Sequence, residues 1–272
     1  KITELIEEAE NKGLQIVVFP ELCITAYTCG DLFHQHALTE EAVRQLGIIL
    51  DRTKEREVVS ILGIPLRIDN QMFNCAVVIQ KGKLLGIVPK SYIPGYSEFY
   101  EERWFAAGSK LMSDSIILCG QNVPVGTDLL FEAENMQGMC FGVEICEDLW
   151  TPIPPSSYQS LAGASVLFNL SASNDLVGKH EYRKELVKQQ SARCIAGYVY
   201  ASANINESTT DVVFGGHALI AENGSILTEA KRFLKESQLI YSEIDIQKIT
   251  NDRCKNTTFM EGTIDRKYRK IG

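Results

Sequence analysis

The sequence sets a carboxylate, an ammonium and a thiol each at the end of an apolar run. Glu21 closes LQIVVFPE, Lys90 closes LLGIVPK and Cys146 closes GMCFGVEIC. A thiolate can attack a carbonyl carbon, and a carboxylate within reach can take the thiol proton and return it to a departing amine. An ammonium beside them favours both the thiolate and the developing oxyanion. Together these groups suit amide hydrolysis through an acyl intermediate. The surroundings of Cys146 oppose this, because GVEICEDLW brings Glu144, Glu147 and Asp148 next to the sulfur, and negative charge disfavours a thiolate. Three readings of Cys146 therefore stand: an inert buried thiol, a metal ligand, or a nucleophile whose cation comes from elsewhere in the chain. If Lys90 is that cation, the acids must point away from the thiol. A sharp turn at Cys146 would break the strand alternation it shares with Glu144, and Glu147 and Asp148 would fall in the first turn of the next helix.

These positions need a rigid frame. KITELIEEAENKG puts Ile2, Leu5, Ile6 and Ala9 on one helical face and ends with Gly13 as a C-cap. LQIVVFPE has the β-branched content of a buried strand, and helical spacing returns from about Thr39 to Glu57. VVSILGIPLRI, MFNCAVVIQKGKLLGIVPK and GMCFGVEIC supply further strands, with KGK as a hairpin turn. SLAGASVLFNLSAS reads as a helix end followed by a strand, and KHEYRKELVKQQSARCIAG as a long amphipathic helix. YVYASANI, GHALIAENGSIL and QLIYSEIDI complete the strand series. This alternation predicts an α/β layered domain, a class in which chemistry gathers where strands end.

The 272 residues, 45% hydrophobic, suffice for one large core. A formal net charge of −8, offset only by the short basic tail DRKYRKIG, argues against a nucleic-acid partner. No apolar run approaches the length of a membrane span, so no membrane partner is expected. Eight scattered cysteines, with no CxxC and no secretory leader, fit a reducing compartment, with the cytoplasm as the default. Cys23, Cys75, Cys119, Cys140 and Cys194 belong to apolar segments and are expected in the core, Cys29 and Cys254 at the surface. His34, His36, His180 and His217 show no zinc-like spacing, so no metal site is expected. Phe99, Tyr100 and Trp104 in GYSEFYEERWF are expected to pack on the core. The glycines of VFGGHAL lack GxGxxG spacing and predict a tight turn before a strand.

With those residues in place, VVFPELCITAY, VPKSYIPGYSEFYEERWF and GVEICEDLW resemble the Glu, Lys and Cys motifs of the nitrilase superfamily, the carbon-nitrogen hydrolases. With NLSASN, FGGHALIAENGSIL and NTTFMEG added, nearly the whole chain resembles the glutaminase domain of bacterial glutamine-dependent NAD synthetases. The resemblance implies an αββα four-layer sandwich over residues 1–272. Its expected reaction converts glutamine, through a cysteine thioester, to glutamate and ammonia for an ATP-dependent synthetase domain. It implies Cys146 as nucleophile, Glu21 as base, Lys90 as transition-state stabiliser and Glu101 as a second acid supporting Lys90 and Cys146. It also implies Tyr96, Ser173 and Lys179 as glutamine contacts. The family carries Arg where this chain has Lys179, and a bidentate grip on a carboxylate does not transfer to Lys unchanged. The family's first strand and its SGGxDS-like phosphate loop have no counterpart in the sequence. ATP, magnesium and deamido-NAD are accordingly expected only with a synthetase domain outside this chain. The glutaminase reaction itself implies no cofactor and no metal, and the superfamily implies a homo-oligomer. Two alternatives stand beside this reading, a free-standing nitrilase-family amidase or carbamoylase, and a non-catalytic interaction module that has kept the fold.

Overall fold

Two sheets take up the apolar runs, and helices cover the outer face of each, in the computed structural model, which describes residues 1–208, 210–262 and 264–272. The chain begins with α1 (Ile2–Asn11), β1 (Ile16–Val18), α2 (His36–Arg52), β2 (Val59–Ile68), β3 (Gln71–Gln80) and β4 (Lys83–Pro89). It continues through β5 (Ser115–Leu118), β6 (Gln121–Pro124), β7 (Leu129–Glu132), β8 (Cys140–Ile145), α3 (Pro155–Leu161), β9 (Val166–Ser171) and α4 (Lys179–Cys194). The last elements are β10 (Gly197–Ser202), β11 (Ala218–Glu222), β12 (Ser225–Glu229), α5 (Ile246–Lys255), α6 (Thr257–Met260) and β13 (Arg269–Ile271). One sheet has the order β1-β2-β3-β4, the other β12-β11-β10-β9-β8-β7-β13, and β5 pairs with β6 as a separate hairpin.

Alternation along the strands creates the layers. In β2, Leu62, Ile64, Leu66 and Ile68 meet Ile6, Ala9, Leu46 and Leu50 of α1 and α2, while Ile61 turns to the opposite sheet. In β3, Phe73, Cys75, Val77 and Ile79 share the helix side, and Ala76 and Val78 the sheet side. From the second sheet, Phe141, Val143, Ile145, Val166, Phe168 and Leu170 fill the space between the sheets, while Leu167 and Tyr198 face Val187 and Cys194 of α4. The result is the αββα sandwich. Each fully buried Val, Leu, Ile or Phe adds roughly 1.5–3 kcal/mol of transfer free energy.

The KGK turn is a two-residue hairpin, with Lys81 and Gly82 both at positive φ (50° and 70°), and Asn223-Gly224 makes a matching turn between β11 and β12. Two expectations need correction. QLIYSEIDI has no strand assignment, and residues 238–244 run without a ladder partner before α5 begins. Its apolar side chains are used for packing instead, Leu239 on the core between α1, α2 and the first sheet and Ile244 on the core between the sheets. The helix α4 does not bury an apolar stripe either. Its inward positions are Arg183, Val187, Gln190, Ser191 and Cys194, so hydrogen bonds satisfy a largely polar face. Among the described residues no helix is long and apolar enough to cross a membrane.

Candidate active site

Glu21 reaches the site from a loop rather than from the strand itself, since β1 ends at Val18. The loop lies flat on β2 at Gly63, where a Cβ would meet the Leu22 nitrogen at 2.2 Å and the Pro20 oxygen at 2.8 Å. Only glycine permits that approach. Glu21 is fully buried. Its Oε1 accepts from Lys90 Nζ at 2.7 Å and from Asn74 Nδ2 at 2.6 Å, and its Oε2 accepts from the Ala172 N–H at 2.9 Å.

Lys90 directly follows β4 and has no exposed side-chain surface. Besides Glu21, its ammonium donates to both oxygens of Glu101 at 2.8 Å. Burial works against the cation, but Glu101, Glu21 and the neighbouring Cys146 outweigh it and push Lys90 well above its ordinary range. Glu101 is held from its other side by the Tyr27 hydroxyl, which donates to Oε1 at 2.8 Å.

Cys146 follows β8 directly, and its φ of 44° lies in the left-handed region. Non-glycine residues seldom occupy that region without a functional or packing reason. This turn settles the problem of the acids. Cys146 packs with Val143 and Ile145 in the core between the sheets. Glu144 points the opposite way, its Oε1 accepting from the Tyr198 hydroxyl and its Oε2 from the Ser156 N–H in α3. Asp148 is a brace: its carboxylate accepts from the N–H groups of Ile145 (2.9 Å), Tyr92 (2.9 Å) and Ser91 (3.1 Å). It thereby joins the Cys146 turn to the chain that follows Lys90. Glu147 accepts from the Tyr96 hydroxyl at 2.8 Å.

Cys146, Glu101, Tyr96, Ser173 and Lys179 line one pocket of about 420 Å³, with Glu147, Phe99 and Trp150 among its walls. Glu21 and Lys90 stand behind that lining, joined to it through Glu101. All seven residues singled out in the sequence are thus brought together. Lys179 opens α4, its ammonium donating to Asn174 Oδ1 and standing 5.3 Å over the Phe99 ring and 5.2 Å over the Trp150 ring. Burial lowers its pKa. Phe99 therefore belongs to the pocket rather than the core, Tyr100 is largely exposed, and Trp104 does pack on Phe33. Cys254 is exposed as expected, but Cys29 is half-buried, with its thiol on the Thr25 carbonyl. Gly215 and Gly216 precede β11 without forming the expected tight turn: Gly216 has a positive φ of 68°, and their backbone groups bond to distant segments, the Gly216 N–H to the Ala203 carbonyl and the Phe233 N–H to the Gly215 carbonyl.

Sequence reasoning passed over Asn74 and Asn174, and placed Glu147 and Asp148 in the next helical turn without their hydrogen-bond partners. Asn74 carried a signal, because it is a lone amide inside the apolar run MFNCAVV.

Burial, reinforced by Glu21 and opposed by Lys90, pushes the Cys146 thiol far above its ordinary range. Burial also pushes Glu21 up to about 7, with Lys90 pulling it down and Glu101 pushing it further up. A carboxylate takes up a thiol proton only when ionised, and for Glu21 that form exists above about 7 and is lost below it. With Glu21 as the base for Cys146, alkylation of the thiol by iodoacetamide is expected to slow about tenfold per pH unit below that point. A flat profile from mildly acid to mildly alkaline pH, followed by mass mapping of Cys146, would remove Glu21 as the base.

A family model described as carbon-nitrogen hydrolase matches residues 1–253. The chain belongs to the carbon-nitrogen hydrolase family. It is 40% identical over 258 residues to the glutamine-dependent NAD(+) synthetase of Mycobacterium tuberculosis, a match that takes in 95% of this chain and 38% of that protein. A crystal structure of a glutamine-dependent NAD(+) synthetase from Cytophaga hutchinsonii superposes with a TM-score of 0.74 at 32% identity, over 85% of this chain and 37% of that one. The carbon-nitrogen hydrolase of Helicobacter pylori, at 20% identity and a TM-score of 0.73, covers 97% of this chain and 88% of its own, and shares the fold. This carbon-nitrogen hydrolase chain thus spans only 38% of the length of the curated synthetase it matches.

Proposed function

We propose that the chain hydrolyses the side-chain amide of glutamine. The observation that carries this is the pocket itself: Cys146 opens into a space whose charged lining sets the ammonium of Lys179 against the carboxylates Glu98, Glu101 and Glu147. Those charges complement the α-carboxylate and α-ammonium of an amino acid whose side chain reaches the thiol. The names of the relatives, which are glutamine-dependent, support the same substrate.

In the proposed reaction Glu21 takes the Cys146 proton as the sulfur bonds to the amide carbon. Negative charge gathers on the amide oxygen, where Lys90 stabilises it. Cys146's own N–H is committed to Asn169 Oδ1 at 3.2 Å and is not the donor. Glu21 passes its proton to the nitrogen, the C–N bond breaks and ammonia leaves a thioester. Water then attacks that carbon as Glu21 takes its proton, the C–S bond breaks, the proton passes to the Cys146 sulfur, and glutamate departs. The reaction as written uses no metal or cofactor. The ammonia would serve a synthetase domain that binds ATP, magnesium and deamido-NAD outside this chain.

The test is a diazo-ketone analogue of glutamine followed by mass mapping, alongside ammonia release from glutamine and from simple amides. Label is expected on Cys146 alone among the eight cysteines, with glutamine much the better substrate. Label spread over several cysteines would remove Cys146 as nucleophile. Equal turnover of simple amides would instead favour a free-standing amidase or carbamoylase.

A further inference from the structure

Behind the Lys179 wall lies a buried polar chain that the proposed reaction does not use. Arg183, on the inward face of α4, is 1% exposed, and its Nη2 donates to the Asn174 carbonyl at 2.8 Å and to Asp175 Oδ1 at 3.3 Å. Its Nη1 lies 3.1 Å from Nδ1 of His217, the fully buried residue that precedes β11. A guanidinium only donates, so Nδ1 must accept, and the single proton of the neutral ring must sit on Nε2. Nε2 lies 3.2 Å from Oε1 of Glu229, at the end of β12. Burial, with the positive charge of Arg183 beside it, pushes His217 down to about 4 and keeps the ring neutral. Glu229 is anchored in turn by Lys184 Nζ at 2.5 Å and His180 Nε2 at 2.9 Å.

The chain leads to the pocket. Asn174, whose carbonyl Arg183 holds, offers its side-chain oxygen to the Lys179 ammonium and donates from Nδ2 to Glu98 at 2.5 Å. We infer that His217 is a positioning residue for substrate: it orients Arg183, which fixes Asn174 and through it the ammonium of Lys179. This rests on reading Lys179 as the contact for the substrate carboxylate.

His180, His217 and Glu229 also approach one another closely enough to hold a metal ion, although their sequence spacing gives no hint of it. Arg183 opposes that use. A metal on Nε2 of a neutral His217 would move the ring proton to Nδ1, where Nη1 already points.

The test compares His217→Leu, which removes both ring contacts, with His217→Gln, whose amide can supply one acceptor and one donor. Glutamine binding is measured by calorimetry in a Cys146→Ala background, and hydrolysis with Cys146 present. His217→Leu should weaken glutamine binding and raise KM about tenfold, with kcat within about twofold of the parent, and His217→Gln should restore binding. Iodoacetamide alkylation of Cys146 at the parent rate shows that the nucleophile is intact. If the Leu variant fails that check, Glu229→Gln carries the same expectation of weaker binding. Parent-like affinity in His217→Leu, or equal weakening in the Leu and Gln variants, overturns this inference alone. No glutamine binding with His217 intact overturns the substrate reading and this inference with it.

Discussion

Cys146→Ala is expected to hydrolyse glutamine about 10⁴- to 10⁶-fold more slowly than the parent chain and to keep its fold. Without sulfur no thioester can form, and Glu21 and Lys90 are left to assist only the slow direct attack of water. The fold should tolerate the change because little volume is lost, and alanine meets the φ of 44° at position 146 with strain similar to cysteine's. Ammonia release at high enzyme concentration, read beside a thermal melt, measures both parts. Residual turnover within tenfold of the parent, in protein that melts normally, would place the chemistry elsewhere.

The second large effect belongs to Lys90. Lys90→Met is expected to lose about 10²- to 10³-fold in rate, the usual consequence of deleting one oxyanion donor. It should also lose stability, because the ammonium is the shared partner of Glu21 and Glu101 in a site closed to water. Removing one member of a buried ion network typically costs about 3–5 kcal/mol. The cost should be largest at high pH, where Glu21 must ionise without its cation, and should shrink as the pH falls towards about 7, because without the pull of Lys90 the variant's Glu21 takes up its proton above the parent's value. Denaturant titrations at two pH values give the stability, and single-turnover hydrolysis at low temperature gives the rate. A folded variant that hydrolyses glutamine at the parent rate would take Lys90 out of the mechanism.

How much of this could be read from the sequence depends on what each residue's surroundings are made of. Glu21, Lys90 and Cys146 were legible because apolar runs of strand composition end at or near them, and these three runs do form β1, β4 and β8. The layers were legible for the same reason: Leu62, Ile64 and Leu66 alternate with residues facing the other way. The segment at Leu239 to Ile244 misled because its composition is that of a strand, while strand formation depends on a neighbour that composition does not encode. The polar inward face of α4 was hidden too. Arg183 and Gln190 look like solvent-facing residues until His217, 34 positions away from Arg183, is seen to receive the guanidinium. Asp148 could be placed in a helical turn, but its hold on the Ser91 and Tyr92 N–H groups joins segments whose approach no local pattern announces.

The seat of Glu21 also sets a timetable. Its Oε2 takes the Ala172 N–H, and its own N–H reaches the Ser171 carbonyl at 3.3 Å, contacts that span 151 and 150 positions of the chain respectively. Contacts between such distant segments form late, because the ends of a long loop must first be brought together. A chain emerging during synthesis would therefore carry its thiol and its lysine well before its carboxylate had a place to dock. The nucleophile would stay quiet through that interval, and reactivity would appear only when β9 has joined the sheet.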